Sequence, residues 1–128
     1  MSGLGITREQ LLMGRHREYP LTQLLSANAT ILVARVNKLL DIYGKAVVVS
    51  SGYRPGHYNK LVGGAPNSSH VVCQAVDLMD RDRELQKWIL ANFQVLTKCD
   101  LYMEDPSATP TWVHLQSRAT KSGNRIFR

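Results

Sequence analysis

Apolar residues recur along this chain with two periods, one helical and one of two residues, and these periods divide it into elements. From about Ala27 to Tyr43, the residues Leu32, Val36, Leu39, Leu40 and Tyr43 fall at i, i+4, i+7, i+8 and i+11, on one face of a helix. Ser26 or Asn28 can cap its start, and Gly44 suits the left-handed position after its end. The stretch Ala46 to Ser50 is short, β-branched and bounded by Gly44 and Gly52, which predicts a buried strand. Residues 51–69 are rich in Gly, Pro, Ser and Asn and read as a long loop, a length that inside a compact domain usually serves function. Gln74 to Met79 reads as a second strand. Asp80 or Asp82 then caps a helix from about Arg83 to Leu96, with Leu85, Trp88, Ile89, Phe93 and Leu96 facing inward. Asp100 to Glu104 and Thr111 to Gln116 read as two further strands, joined by a loop of turn formers that includes Asp105, Pro106, Ser107 and Pro110.

These elements predict an α+β domain: a central antiparallel sheet of about four strands, two helices on one face and a cleft on the other. The 128 residues suit a single domain, 1–128, with one core. Residues 1–26 form a lead-in that wraps the domain, with a short helix around Arg8 to Met13, and residues 117–128 form a polar, basic tail expected to be loosely held.

Composition narrows the function classes. Hydrophobic residues make up 44%, which excludes a chain disordered by composition. No apolar run approaches the roughly 20 residues that cross a bilayer, so no membrane span is expected. Met1 to Tyr19 carries charges and lacks an apolar h-region, so no secretory signal is expected. Work outside a cell would then follow lysis of a host cytoplasm or carriage in a virion. The net charge of +6 favours an anionic partner, but the basic residues are scattered and no nucleic-acid module is visible, which argues against nucleic acid. Cys73 and Cys99 do not make a disulfide framework and read as small semi-buried thiols.

The chemistry concentrates in two stretches. One runs from Ser68 through His70 and Cys73 to Asp77, and the other is Trp112-Val113-His114. Two histidines and one carboxylate leave a fourth tetrahedral position open, which distinguishes a catalytic zinc site from a structural one. On a helix His70 and Asp77 would sit roughly 10 Å apart along the axis, too far for a shared ion, so the chain must fold back between them. On strands, Val76 and Leu78 can enter the core while Asp77 faces a cleft, and Val113 and Leu115 can do the same while His114 does. A plainer reading also stands: His70 on a surface loop, Asp77 as a hydrogen-bonded carboxylate and His114 as an ordinary strand residue.

At these residues the chain resembles the D-alanyl-D-alanine metallopeptidase superfamily, which includes zinc D,D-carboxypeptidases, vancomycin-resistance dipeptidases and phage L-alanyl-D-glutamate endolysins, with the Hedgehog signalling domain as a relative. The superfamily pattern is Ser-x-His-x-x-Gly-x-Ala-x-Asp followed by Trp-x-His; Ser68, His70, Ala75, Asp77, Trp112 and His114 match it. Upstream, Ser51-Gly52-Tyr53-Arg54 with Asn59 and Gly63-Gly64 resembles the loop ahead of the first ligand. The resemblance implies zinc held by His70, Asp77 and His114, with Arg54 and Ser68 binding substrate. For Arg54 a loop ion pair and for Ser68 a turn hydroxyl are the plainer alternatives.

Two positions depart from the pattern. Cys73 replaces a glycine; either the position keeps a positive φ and cysteine is strained, or the loop is reshaped. A thiol there could pack or serve as a fourth ligand. Thr111 stands three residues before the last histidine, where the superfamily carries an acidic general base. Glu104 is the candidate base in its stead, provided that its strand pairs with 111–116 in a register facing Pro110 or Trp112, which turns it to the His114 side. Asp105 reads as the start of the turn with Pro106, and His57 and His16 as surface residues. The resemblance thus implies a zinc peptidase acting on peptidoglycan stem peptides, and the expected lack of a signal and of a separate wall-binding module fits a phage lysis protein or a virion-associated enzyme. The alternatives are a catalytically weak or inactive structural protein of a phage virion on the same fold, with other virion proteins as partners, and a basic nucleic-acid-associated protein without metal.

Overall fold

The computed structural model describes residues 5–65 and 67–128; Met1 to Leu4 in the lead-in and Pro66 in the loop before His70 lie outside the described residues. In chain order the elements are helix α1 (Arg8–Leu12), a 3-10 turn (Arg15–Arg17), α2 (Gln23–Tyr43), strand β1 (Val49–Ser51), α3 (Gly56–Leu61), β2 (Ala75–Met79), α4 (Glu84–Ala91), α5 (Gln94–Cys99), β3 (Tyr102–Glu104), β4 (Trp112–Gln116) and β5 (Ile126–Phe127). The strands form one sheet in the order β1-β2-β4-β3-β5. The first four pair antiparallel, and β5 joins β3 in parallel.

The α+β class and the helix-covered sheet stand as expected, with one more strand and a mixed sheet. The added strand comes from the basic tail, which is not loosely held. Met103 N–H donates to the Arg125 carbonyl at 2.7 Å and Asp105 N–H to the Phe127 carbonyl at 2.6 Å. Arg125 also pairs with Asp100 at 2.9 Å and lies over the Tyr102 ring. Two apolar residues, Ile126 and Phe127, are too few to show a strand period, so the sequence does not announce them. The lead-in belongs to the domain as well. Thr7 and Gln10 form a capping box at the start of α1, and Leu11 and Leu12 are buried. The Asn37 side chain bonds both backbone groups of Ile6.

Other boundaries shift for local reasons. Helix α2 begins a turn earlier than Ala27, because the Thr22 hydroxyl accepts from Leu25 N–H and caps it there. The single helix expected over Arg83 to Leu96 is broken at Asn92, whose backbone leaves the helical region at φ −123° and ψ 46° and whose side-chain amide joins its own N–H on the Trp88 carbonyl. The break changes the helical phase, and Phe93, expected inside, is 44% exposed. Asp80 does hold the start of α4: its two carboxylate oxygens accept from Leu85 and Gln86 N–H, each at 2.9 Å. The strand expected over Ala46 to Ser50 shortens to β1, whose register is interrupted between Val49 and Ser51. The long loop 51–69 contains α3.

Period-two alternation in the central strands sorts the side chains. Val76 and Leu78 on β2, Met103 on β3, and Val113 and Leu115 on β4 enter the core with Leu32, Val36, Leu39 and Leu40 of α2, Ile89 of α4 and Leu96 of α5. Full burial of each such side chain contributes about 1.5–3 kcal/mol. The alternate positions, Asp77, Glu104, His114 and Gln116, line a cleft on the opposite face.

Gly52, just after β1, sits where two backbones touch. A Cβ there would lie 2.0 Å from the Leu11 carbonyl oxygen, while Tyr53 N–H donates to that same oxygen at 2.8 Å. Gly52→Ala is expected to lower unfolding stability by about 2 kcal/mol or more, the overpacking range for a rigid neighbour. Gly56→Ala, where a Cβ meets nothing within 4 Å, is expected to stay within about 0.5 kcal/mol of the parent. Equilibrium denaturation of the two variants checks the contrast.

Candidate metal centre

Three short-range constraints bring the chemistry together. The first is the β2–β4 register, which sets Asp77 directly opposite His114. On neighbouring strands the two side chains leave the sheet on the same face, and Asp77 Oδ1 lies 2.9 Å from His114 Nδ1.

The second is a tight turn that carries His70. Val71 N–H donates to the Ser68 carbonyl, Cys73 N–H to the His70 carbonyl and Gln74 N–H to the Ser69 carbonyl. This paired closure, with a left-handed residue at the penultimate position, ends a helical turn. That residue is Cys73, at φ 59°. The position therefore has the positive φ that a glycine takes without strain. A non-glycine residue there costs on the order of 1 kcal/mol. Its side chain is fully buried in the core, and burial pushes the thiol up to about 11. Cys73 is thus a packed neutral thiol and no part of the ligand cluster. Asn28 of α2 bonds the Val72 carbonyl and fixes the turn to the helix layer.

The third constraint orients the rings. His70, only 2% exposed, directs Nδ1 to the Gly52 carbonyl at 2.9 Å, so Nδ1 donates and Nε2 faces Asp77 Oδ2 at 3.3 Å. His114 mirrors this arrangement. Gln116 Nε2 donates to the Arg118 carbonyl at 2.8 Å, which leaves Gln116 Oε1 to accept from His114 Nε2 at 2.9 Å and turns Nδ1 inward. Each imidazole has an outer nitrogen held by a protein acceptor and an inner nitrogen aimed at one carboxylate, the orientation that outer partners impose on metal ligands. The imidazole rings stand 5.2 Å apart, edge to face. One ligand atom from each of His70, Asp77 and His114 lies within 4.8 Å of the others. The donor set and its convergence fit a divalent cation, with zinc the metal suited to two nitrogens and one oxygen.

Electrostatics agree with the geometry. Burial of Asp77 disfavours its charge, but hydrogen bonds from His114 and His70 outweigh this and hold the carboxyl at about 2. Burial likewise disfavours charge on His114, yet the hydrogen bond to Asp77 and the field of Asp77 and Glu104 raise its pKa above the usual histidine value. A cation at the centre would take the place of the protons that these groups share.

The remaining residues expected in the site divide between cleft and surface. Arg54 and Ser68 line the cleft of about 690 Å³, with Arg54 Nη2 3.3 Å from Ser68 Oγ and Arg54 Nε buried without a partner among the described residues. Glu104 also lines it. The β3–β4 register pairs Met103 with Leu115, so the next step sets Glu104 opposite His114 instead of Pro110 or Trp112. The shift is an even number of residues, and the side chain stays on the cleft face. Thr111 is exposed outside the cleft, where its carbonyl accepts from Asp80 N–H. Asp105 caps its own turn through Ser107 N–H. His57 is exposed and stacks on Tyr19, and half-buried His16 lies outside this cleft. Sequence reasoning missed Gln116, whose two-residue spacing from His114 already placed it on the same face. It also missed Arg118, Lys121 and Phe127, which lie in a tail with no periodicity to read.

The shifts give the metal-free protein a defined pH response. Asp77 is depressed on folding, so its contribution, on the order of 2 kcal/mol, is complete above the unfolded carboxylate range and is lost as pH falls from about 4 to about 2. His114 is raised, so its contribution is complete below the unfolded histidine value and disappears as pH rises through its higher folded value. Asp77→Asn is expected to flatten both limbs, which chemical denaturation across pH reads directly. Among known proteins, no curated sequence matches the chain. A family model described as Peptidase M15 matches residues 8–116, from the first turn of α1 through the last residue of β4, and spans every residue of the cluster. The chain belongs to the peptidase M15 family of metallopeptidases.

Proposed function

We propose that this protein is a zinc-dependent peptidase that hydrolyses an amide bond in peptidoglycan stem peptides. The observation that carries the proposal is the convergence of His70, Asp77 and His114 in an open cleft of a peptidase M15 chain. In this reading those three residues hold the metal. Zinc supplies polarisation of a peptide carbonyl and activation of water at neutral pH.

The chain's own groups do the rest. Asp77 and His114 stay fixed because Gln116 and the sheet register leave them one orientation. Glu104, on the same face, is the acceptor for the proton of the attacking water and its donor to the departing amine, one carboxylate oxygen serving both transfers. Arg54 offers a planar cation with a buried, unpartnered Nε to a peptide carboxylate or carbonyl, and Ser68 steadies it from one side. The setting that we propose is bacteriophage-encoded digestion of the cell wall, phage endolysins being among the members of the superfamily whose motif this chain matches. One observation favours a weaker enzyme or a binding protein on the same fold: exposed Thr111 occupies the position of the superfamily's usual base.

Digestion of purified murein with mass analysis of the products separates these readings and distinguishes trimming of terminal residues from internal cleavage. The peptidase reading predicts new free amines that a chelator abolishes and added zinc restores; intact murein under zinc-replete conditions would leave only the binding protein. Glu104→Gln is expected to keep its zinc and to lose about 100-fold or more in kcat, the usual scale for a general base. Full activity in that variant would remove Glu104 from the chemistry.

A further inference from the structure

The cleft is more cationic than a peptide amide requires. Arg54, Arg118, Lys121 and Arg128 line it, against the carboxylates Asp77 and Glu104. Asp77 faces the two imidazoles, and Arg128 is 3.6 Å from Asp105. Among the described residues, Arg54, Arg118 and Lys121 form no ion pair. Two guanidinium groups flank one short stretch immediately ahead of His70. Arg54 reaches Ser68, while Arg118 donates from Nη1 to the Asn67 carbonyl at 2.7 Å and lies 3.5 Å from Ser69 Oγ.

Arg118 is held from both ends. Its backbone carbonyl accepts from Gln116, the residue that orients His114, and its Nη1 is tied to the loop before His70. Its Nη2 and Nε have no protein partner among the described residues. A guanidinium tethered through Nη1 has less rotamer freedom to lose on binding, and its free edge suits a carboxylate. Lys121, from the same segment, adds a second positive charge to that wall.

We propose that Arg118 and Lys121 form a carboxylate subsite, separate from Arg54, that selects peptides bearing a free acidic side group close to the scissile amide. The inference rests on the peptidase reading and adds to it the substrate's charge. A carboxylate there exchanges its water for a fixed charge-assisted pair, while the corresponding carboxamide gains only neutral hydrogen bonds. Charge-assisted bonds are about twice as strong, so discrimination of about tenfold is expected, weakening with added salt.

The test uses two synthetic stem peptides identical except that one glutamyl carboxylate is free in the first and a carboxamide in the second. Hydrolysis by the zinc-loaded enzyme and direct binding to the metal-free protein are measured for the parent, Arg118→Gln, Lys121→Gln and the double variant. The parent is expected to favour the free acid by about tenfold in KM and in Kd, and the double variant to narrow that ratio to under about twofold. Arg118→Lys, which keeps the charge and loses the fork, is expected to retain part of the preference and guards against a misfolded glutamine variant. Equal treatment of the two peptides by a hydrolysing parent overturns the subsite and leaves the peptidase reading intact. A parent that binds the free acid selectively without cleaving it keeps the subsite and removes the peptidase reading. Loss of both peptides in equal proportion across the variants also overturns the subsite.

Discussion

One carboxylate between two imidazoles is the interaction on which this structure depends. Asp77 lies 2.9 Å from a ring nitrogen of His114 and 3.3 Å from one of His70, and neither histidine is its neighbour in sequence. A sheet register brings the first pair together and a closed turn brings the second. Both depend on the helix layer: the register because Val76, Leu78, Val113 and Leu115 must stay in the core, the turn because Cys73 is packed there. A one-residue slip between β2 and β4 would bury Asp77 and expose two apolar side chains, at a cost of several kcal/mol. The apolar half of each strand therefore fixes the position of the polar half.

This coupling explains two features that would otherwise look like defects. Cys73 holds a left-handed conformation that cysteine avoids, on the order of 1 kcal/mol of strain, and offsets it by burying its side chain completely. Burying two imidazoles against a carboxylate disfavours the charged forms, and the outer partners Gly52 and Gln116 offset part of that cost by satisfying the remaining ring nitrogens. Both rings are thereby oriented by protein partners alone.

Much of this was legible in the sequence where a period or a spacing recorded it. The α2 face, the parity of β2 and β4 and the turn formers after Glu104 all follow from residue patterns, whereas the side taken by Glu104 waited on the β3–β4 register. What the sequence left open depends on contacts made at a distance. Thr22 caps α2 in place of Ser26 or Asn28, its hydroxyl accepting from Leu25 N–H one turn before the apolar period becomes visible. Asn92 breaks a helix whose apolar spacing continues through it. Ile126 and Phe127 become a strand only because β3 offers a free edge, and that pairing brings Phe127 to 5.9 Å from the His114 ring. The cationic wall of Arg118 and Lys121 was illegible for the same reason, since only tertiary contacts carry the tail into the cleft.

The central claim is that His70, Asp77 and His114 hold one metal ion with a coordination position left to solvent. X-ray absorption at the zinc edge, on the purified protein with its metal content determined, tests this most directly. One zinc per chain, surrounded by two imidazoles and oxygen at about 2 Å without sulfur, and lost on His114→Ala, is the predicted result. Sulfur in the first coordination shell, a metal retained in full by that variant, or no metal bound at micromolar zinc would contradict the account.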